Sequence, residues 1–191
     1  MEQKSNLVQQ IKTRFSARIL KVSAFGKEGV PMLWIDGNSL RIFAEYLVQE
    51  GFSQCENMAV IELENALVFT YFFCDPRGAQ IVIRMTHLIP TSRDSGDAYV
   101  KAQSVQEFWP SLRSQEAEYS ELFGIRFSPE PVKGNWTLGV LPEGWMGFPL
   151  RKNYVFPTEF FDLLHMRATG QSAADDYQDY SDISLSPGGE P

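Results

Sequence analysis

Cysteine and histidine are scarce in this chain of 191 residues, which has two of each. Cys55 and Cys74 lack the C-x-x-C spacing of a redox or zinc motif, and two thiolates cannot supply the four ligands of an iron–sulfur cluster. We therefore expect free, buried thiols in a reducing compartment. His87 and His165 have no second ligand at helical spacing, which argues against a zinc site. We predict that His87 ends a strand and that His165, within residues 160–166, either packs or interacts with the negative end of a helix.

Basic residues, long apolar runs and nucleotide-binding motifs are also missing. The chain has 17 Lys and Arg against 24 Asp and Glu, and its net charge of -7 argues against nucleic acid as a partner. The longest apolar candidate, residues 66–74, is far shorter than the roughly 18 residues of a membrane-spanning helix. No signal peptide is readable at the polar N-terminus, and G-x-G-x-x-G and G-x-x-x-x-G-K-[ST] are absent. We expect contact with a membrane only through partner proteins.

The first half of the chain shows the patterns of an α+β fold. Helical spacing of Leu7, Ile11 and Phe15 predicts an opening helix, and a second helix is predicted from Leu40 to Gly51. Alternating or continuous apolar patterns predict strands, and Asp75-Pro76-Arg77-Gly78 is a hairpin-turn signal between the last two of them. We predict a small antiparallel or mixed sheet with helices packed on it. The strands are expected at residues 19–25, 30–35, 58–62, 66–74 and 79–87, the last three forming an antiparallel meander.

The second half is less regular. Residues 89–99 are polar and predict a mobile loop, with order resuming near Val105 and a helix over 114–123 closed by Gly124. Residues 128–157 are too apolar for a free linker and too rich in Pro and Gly for regular structure, so we expect them to lie pinned against a surface. The tail from residue 171 is acidic and predicts disorder, or order only on a partner. The resulting division is an α+β domain (1–127), an extended docking segment (128–170) and an acidic tail (171–191).

Three acids in the predicted helix, Glu116, Glu118 and Glu121, admit different interpretations. Acids near a helix N-terminus are stabilised by its positive end, which would explain Glu116. Glu118 and Glu121 share one helix face and could act as an acid–base pair if buried. Glu121 lies near the helix end, where an acid is disfavoured, so we expect a cationic partner for it. The candidates for that partner are Arg126, Arg151 and Lys152.

Arg151 and Lys152 form a basic step within an apolar segment fixed by proline. A solvated basic pair is one interpretation. Docking on acidic groups of a neighbouring subunit is the one we favour, because arginine binds a carboxylate with two parallel hydrogen bonds.

Two sequence blocks resemble those of one protein family. Residues 116–127 read E-A-E-Y-S-E-L-F-G-I-R-F and resemble E-R-E-x-x-D-x-F-G-I-x-F, a signature of the C-subunit family of NADH:quinone oxidoreductase, respiratory complex I. Residues 141–154 read L-P-E-G-W-M-G-F-P-L-R-K-N-Y and resemble that family's L-P-x-x-W-x-G-x-P-L-R-K-D-Y. The resemblance spans most of residues 31–157. The chain departs from the pattern at Ala117, Glu121 and Glu130-Pro131, the last standing where a Gly-His-Pro step and an arginine-rich run are expected.

The resemblance implies a structural subunit of the hydrophilic arm, which lies beside the hydrogenase-like large subunit near the quinone site. It implies no redox centre in this chain, with FMN and iron–sulfur clusters in partner subunits whose electron transfer drives proton translocation. It also implies a peripheral location on the cytoplasmic side of the inner or energy-converting membrane. The partner interface is predicted to include Glu116, Glu118, Glu121, Phe123, Gly124, Trp145, Pro149, Leu150, Arg151, Lys152 and Tyr154.

Three alternatives stay open from the sequence. Relatives of this family occur in energy-converting membrane-bound hydrogenases and in ferredoxin-linked complexes, so the electron donor is not readable. A stand-alone enzyme using Glu118 and Glu121 is a second alternative, and a small adaptor outside respiration is a third. Arg151→Ala is expected to lower assembly of a complex if the docking interpretation is right.

Overall fold

The computed structural model describes residues 2–90, 99–129, 140–142 and 145–155, with side chains from residue 7 onward, and the backbone of residues 159–160 and 163–164. Two compact units divide the chain, residues 1–154 and residues 155–191. The predictions for the tail at 171–191, for His165 and for most of the loop at 89–99 lie outside the described residues, as do residues 130–139 of the docking segment.

The first unit contains a mixed five-stranded sheet. The spatial order is β1-β2-β5-β4-β3, in which β2 and β5 run parallel and the other neighbours antiparallel. The predicted meander and the α+β class are confirmed, although β3 begins at Gln54, four residues before the predicted start. The strands are β1 (Ile19–Phe25), β2 (Val30–Ile35), β3 (Gln54–Leu63), β4 (Ala66–Cys74) and β5 (Gln80–Leu88).

Turn chemistry explains why β4 and β5 form a hairpin. The Asp75 Oδ1 atom accepts hydrogen bonds from the backbone N–H groups of Arg77, at 2.9 Å, and Ala79, at 2.7 Å. Gly78 supplies the positive φ of 83° that the turn requires. The resulting register pairs Cys74 with Gln80 and continues along both strands. The turn predicted from the sequence is therefore confirmed.

Three helices lie over one face of this sheet: α1 (Glu2–Phe15), α2 (Leu40–Gln49) and α3 (Leu112–Phe123). Their apolar side chains join those of the strands in one core. The rings of Phe15 in α1 and Phe43 in α2 lie 4.7 Å apart. The indole N–H of Trp109, which precedes α3, donates to the carbonyl oxygen of Phe52 at 3.0 Å. Burial of each such side chain contributes roughly 1.5–3 kcal/mol.

A second, two-stranded sheet was not predicted. β6 (Val100–Gln103) and β7 (Ile125–Ser128) run parallel, with α3 between them in the chain. The expectation that order resumes only near Val105 is wrong, because Val100 and Ala102 already point into the core opposite Ile125 and Phe127. Four-residue strands are too short for their alternation to stand out from a loop.

Cysteine and histidine lie where the apolar pattern predicts. Cys55 in β3 and Cys74 in β4 are buried free thiols. His87 is the last residue but one of β5, which confirms the prediction that it ends a strand. Its ring packs edge-on against the ring of Phe69, with centroids 5.0 Å apart.

Within the second unit, β8 (Glu159–Phe160) and β9 (Leu163–Leu164) pair antiparallel.

Candidate partner-binding surface

The C-terminal end of α3 forms the centre of the first sequence block. Gly124 follows the last helical residue, Phe123, with φ 63° and ψ 54°, a left-handed conformation that glycine adopts without a Cβ penalty. Its N–H donates to the carbonyl oxygen of Ser120. A Cβ at this position would lie 2.3 Å from the ring of Phe148. The F-G step therefore ends the helix and also admits an aromatic side chain from the second block.

Glu116 is fully buried inside the first unit. Its Oε2 atom accepts a hydrogen bond from the Ser104 hydroxyl at 2.7 Å, and its Oε1 atom accepts one from the Val105 N–H at 3.1 Å. Burial raises the pKa of Glu116 from its ordinary 4.5 to about 7, and the two hydrogen bonds oppose that rise. The helix begins at Leu112, so Glu116 lies beyond its first turn. The interpretation that the positive N-terminal end of the helix accounts for an acid at this position is therefore wrong. The carboxyl group ties α3 to the segment that follows β6.

The other two acids of α3 differ in exposure. Glu118 is exposed, whereas Glu121 is half-buried and its Oε2 atom accepts a hydrogen bond from the Leu141 N–H at 3.1 Å. Arg126, one of the cations suggested for Glu121, lies 4.0 Å from the ring centroid of Tyr99. Exposure of Glu118 gives no support to an acid–base pair, because that interpretation required both carboxyl groups to be buried.

Residues 145–154 of the second block are fixed to the end of α3 by hydrogen bonds from Leu150 and Arg151. The Leu150 N–H donates to the carbonyl oxygen of Leu122 at 3.1 Å. The Arg151 Nε donates to the carbonyl oxygen of Phe123 at 2.6 Å, and the Arg151 side chain is buried. Burial lowers the pKa of Arg151, while the nearby Glu62 carboxylate acts in the opposite direction. These bonds satisfy carbonyl groups that a helix end leaves without intrahelical partners.

Residues 145–154 also contact one another and form a hydrogen bond with the end of β3. The Tyr154 hydroxyl donates to the carbonyl oxygen of Met146 at 3.1 Å, and the Trp145 and Tyr154 rings stack with centroids 6.5 Å apart. The Lys152 N–H donates to Glu62 Oε2 at 2.9 Å. Residues 145–154, which lie within the predicted docking segment, are therefore held against the α+β domain.

The sequence-predicted interface residues fall into two groups by exposure. Glu118, Leu150 and Lys152 are exposed, and Glu121, Trp145, Pro149 and Tyr154 are half-buried. Glu116, Phe123, Gly124 and Arg151 are buried within this chain. Their contact with a partner stays a prediction. Residues that sequence reasoning missed are Ser104, Tyr99, Leu141 and Glu62, whose contacts depend on segments distant in sequence and carry no local signal.

The exposed side chains of this region form a mixed apolar and basic surface. Met146 is 76% exposed and Leu150 is 50% exposed, and the exposed Lys152 lies beside them in the chain. We call Val140, Met146, Leu150 and Lys152 the docking surface. Apolar side chains that are left exposed make this region a candidate for an interaction site.

Neither a metal centre nor a membrane span is found in the part of the chain that the structure describes. Within those residues, no group of three or more His, Cys, Asp or Glu side chains is placed to hold a metal ion. Across the same residues, no helix is long and apolar enough to cross a membrane.

The fold is that of an α+β domain that leaves apolar and basic side chains exposed beside α3. The chain belongs to the family of the respiratory-chain NADH dehydrogenase 30 kDa subunit, whose model matches residues 33–160. The resemblance of the two sequence blocks to complex I is thereby confirmed at the level of the family.

Two curated relatives agree with this assignment. NAD(P)H-quinone oxidoreductase subunit J of Prochlorococcus marinus subsp. pastoris is 36% identical over 67 residues, which cover 35% of this chain and 36% of that protein. The subunit of the same description from a Synechococcus species is 40% identical over 63 residues, 31% of this chain and 34% of that protein. The chain thus spans about a third of the length of these relatives.

Two solved structures share this fold. A chain of the archaeal membrane-bound sulfane sulfur reductase, a respiratory membrane complex, has a TM-score of 0.60 at 13% identity, over 98% of this chain and 97% of that chain. A trypsin-resistant fragment of Nqo5 has a TM-score of 0.51 at 16% identity, over 67% of this chain and 98% of the fragment. At these identities the likeness shows the fold alone.

Proposed function

We infer that this chain is a structural subunit of the hydrophilic arm of a complex I-type respiratory complex and binds its neighbours through the docking surface. The redox cofactors, FMN and iron–sulfur clusters or their equivalents, are carried by partner subunits. The partner at the docking surface is the hydrogenase-like large subunit near the quinone site. In this role the chain supports electron transfer coupled to proton translocation, from the cytoplasmic side of the membrane.

One observation carries this proposal. Residues 145–154 are held by buried anchors, including Phe148 and Arg151, yet leave Met146 and Leu150 exposed. A segment that served only to cover the α+β domain would bury its large apolar side chains, because each gains roughly 1.5–3 kcal/mol from burial. A rigid segment with exposed apolar side chains instead suits a partner, since little ordering entropy is lost on binding.

The test compares two exposed leucines. Leu150→Asp introduces a charge into the docking surface, whereas Leu20→Asp introduces the same charge on β1, at the opposite edge of the sheet from β3. We expect Leu150→Asp to lower co-purification of the other subunits by at least about tenfold, the effect of losing 1.4 kcal/mol of binding. Leu20→Asp should co-purify like the wild type. Equal recovery of partners with both variants would count against the docking surface.

A second candidate is the equivalent subunit of a respiratory complex with another electron donor. This second candidate is supported by the fold likeness to a chain of the membrane-bound sulfane sulfur reductase. The likeness extends over nearly the full length of both chains. The two candidates differ in the partners that co-purify. An FMN-containing, NADH-oxidising subunit in the complex would support the first candidate, and its replacement by a subunit for another donor would support the second.

A further inference from the structure

Two cations stand side by side on the small parallel sheet. Lys101 on β6 and Arg126 on β7 are paired in register, and both side chains are exposed. Neighbouring strands lie about 4.8 Å apart, so these like charges repel each other across the pair. No carboxylate in the described residues forms a salt bridge with either cation. The repulsion between the two cations destabilises the isolated chain, and a bound anion would offset it.

Lys101 and Arg126 line a cavity of about 720 Å³ whose other walls are largely aromatic. The Arg126 guanidinium lies 4.0 Å from the centroid of the Tyr99 ring, within the range of a cation–π attraction. Tyr99 in turn contacts the buried Phe148 edge-on, with ring centroids 5.0 Å apart. These contacts hold the arginine in place before any partner arrives, which reduces the entropy lost on binding. The remaining described lining residues are Trp145, Met146 and Gly147.

The shape and charge of the cavity fit a carboxylate with apolar neighbours. Arginine grips a carboxylate through two parallel hydrogen bonds, and the lysine adds a second positive charge. The aromatic walls and the exposed Met146 offer apolar contact beside it. The cavity adjoins the C-terminal end of α3, where Phe148 packs on Gly124, and its aromatic walls favour a carboxylate with an apolar side chain beside it over an inorganic phosphate, which has none.

We propose that this cavity receives an acidic segment of a neighbouring subunit, whose Asp or Glu carboxylate pairs with Arg126 and Lys101. An apolar side chain next to that carboxylate packs against Tyr99 and Trp145. The proposal rests on the proposed function, because the cavity shares Met146 with the docking surface. It specifies the charge of the partner at this point of the interface.

Zero-length cross-linking of the intact purified complex tests the proposal. A carbodiimide joins a lysine amine to a carboxylate only when the two are in contact, and mass spectrometry identifies both residues. We expect Lys101 to be joined to an Asp or Glu of another subunit, and Lys101→Arg to lose that product while the complex still assembles. A Lys101 product with a carboxylate of this same chain or of a second copy would overturn the proposal, as would an unreacted Lys101.

Charge reversal gives an independent measurement. The double variant Lys101→Glu/Arg126→Glu should lower co-purification of the other subunits by about tenfold or more, and the effect should weaken at high salt because exposed charges are screened. Its thermal midpoint should match the wild type, since both side chains are exposed. The matched control is Lys12→Glu/Lys27→Glu, which reverses two exposed charges on α1 and on the β1–β2 turn.

The outcomes separate this proposal from the function on which it rests. A wild-type chain that co-purifies with no other subunit would contradict the proposed function. A wild-type chain that co-purifies, with no difference between the charge-reversed variant and its control, would contradict the acidic partner at this cavity and leave the proposed function standing.

Discussion

The Arg151 Nε donates a 2.6 Å hydrogen bond to the backbone carbonyl oxygen of Phe123, the last residue of α3. The bond joins the second sequence block to the first and places a cation at the negative end of a helix. From the sequence we expected Arg151 to dock on a partner, and this intrachain role was not foreseen. It means that a loss of assembly in an Arg151 variant could come from the fold as well as from the interface.

Removing this bond should destabilise the chain itself. Arg151→Ala leaves the buried Phe123 carbonyl without its guanidinium donor, and an unsatisfied buried acceptor costs about 1–3 kcal/mol. Urea unfolding of the full chain measures this loss. Lys152→Ala is the matched control, because that side chain is exposed and should change the free energy of unfolding by less than about 0.5 kcal/mol. Equal stability of the two variants would exclude the structural role of Arg151.

The close approach of Phe148 to Gly124 leads to a second prediction. Gly124→Ala should cost the roughly 1–2 kcal/mol of a left-handed alanine and a further 1–3 kcal/mol for the clash with the Phe148 ring. Gly26→Ala is the control, since Gly26 has a similar φ of 67° but open space at its Cβ. Thermal unfolding should therefore rank Gly124→Ala clearly below Gly26→Ala. Similar midpoints would show that Phe148 does not pack there.

Burial of Glu116 predicts a dependence of stability on pH. A carboxyl group with a folded-state pKa of about 7 and an ordinary value of 4.5 holds its proton more tightly when folded. Its contribution to stability is complete below about pH 4.5 and is lost as the pH rises through 7. The loss is on the order of 3 kcal/mol. Glu116→Gln stays neutral and should be more stable than the wild type at about pH 8.

The comparison must be made between variants at each pH. Burial lowers the pKa of His87, which makes that residue contribute stability in the opposite direction as the pH rises. The difference between wild type and Glu116→Gln removes the His87 contribution, because both proteins contain it. Glu118→Gln, on the exposed face of α3, serves as the control and should follow the wild type. A difference that does not change with pH would contradict the prediction.

Local chemistry made most of the five-stranded sheet predictable. Asp75 and Gly78 set the β4–β5 turn through contacts within a few residues, and Gly51 follows the end of α2, so each signal could be read from the sequence. The pairing of β6 with β7 could not be predicted from the sequence, because all of α3 lies between Val100 and Ile125 in the chain. Parallel register of this kind depends on packing rather than on a local turn.

The candidate surface was predictable as a region but not in its contacts. The two sequence blocks identified residues 116–127 and 141–154 as one functional unit, and the Leu150 and Arg151 contacts with α3 join them in space. Whether each charged side chain faces inward could not be read from spacing. Glu116 is enclosed by the loop after β6, where the Ser104 hydroxyl and the Val105 N–H both donate to its carboxylate.

The most direct test of the subunit assignment is affinity purification of the tagged full chain from detergent-solubilised membranes of its host. The proposed function predicts stoichiometric recovery of iron–sulfur proteins and of a hydrogenase-like large subunit, identified by mass spectrometry. Recovery of the chain alone, as a stable monomer active on a small substrate, would contradict it.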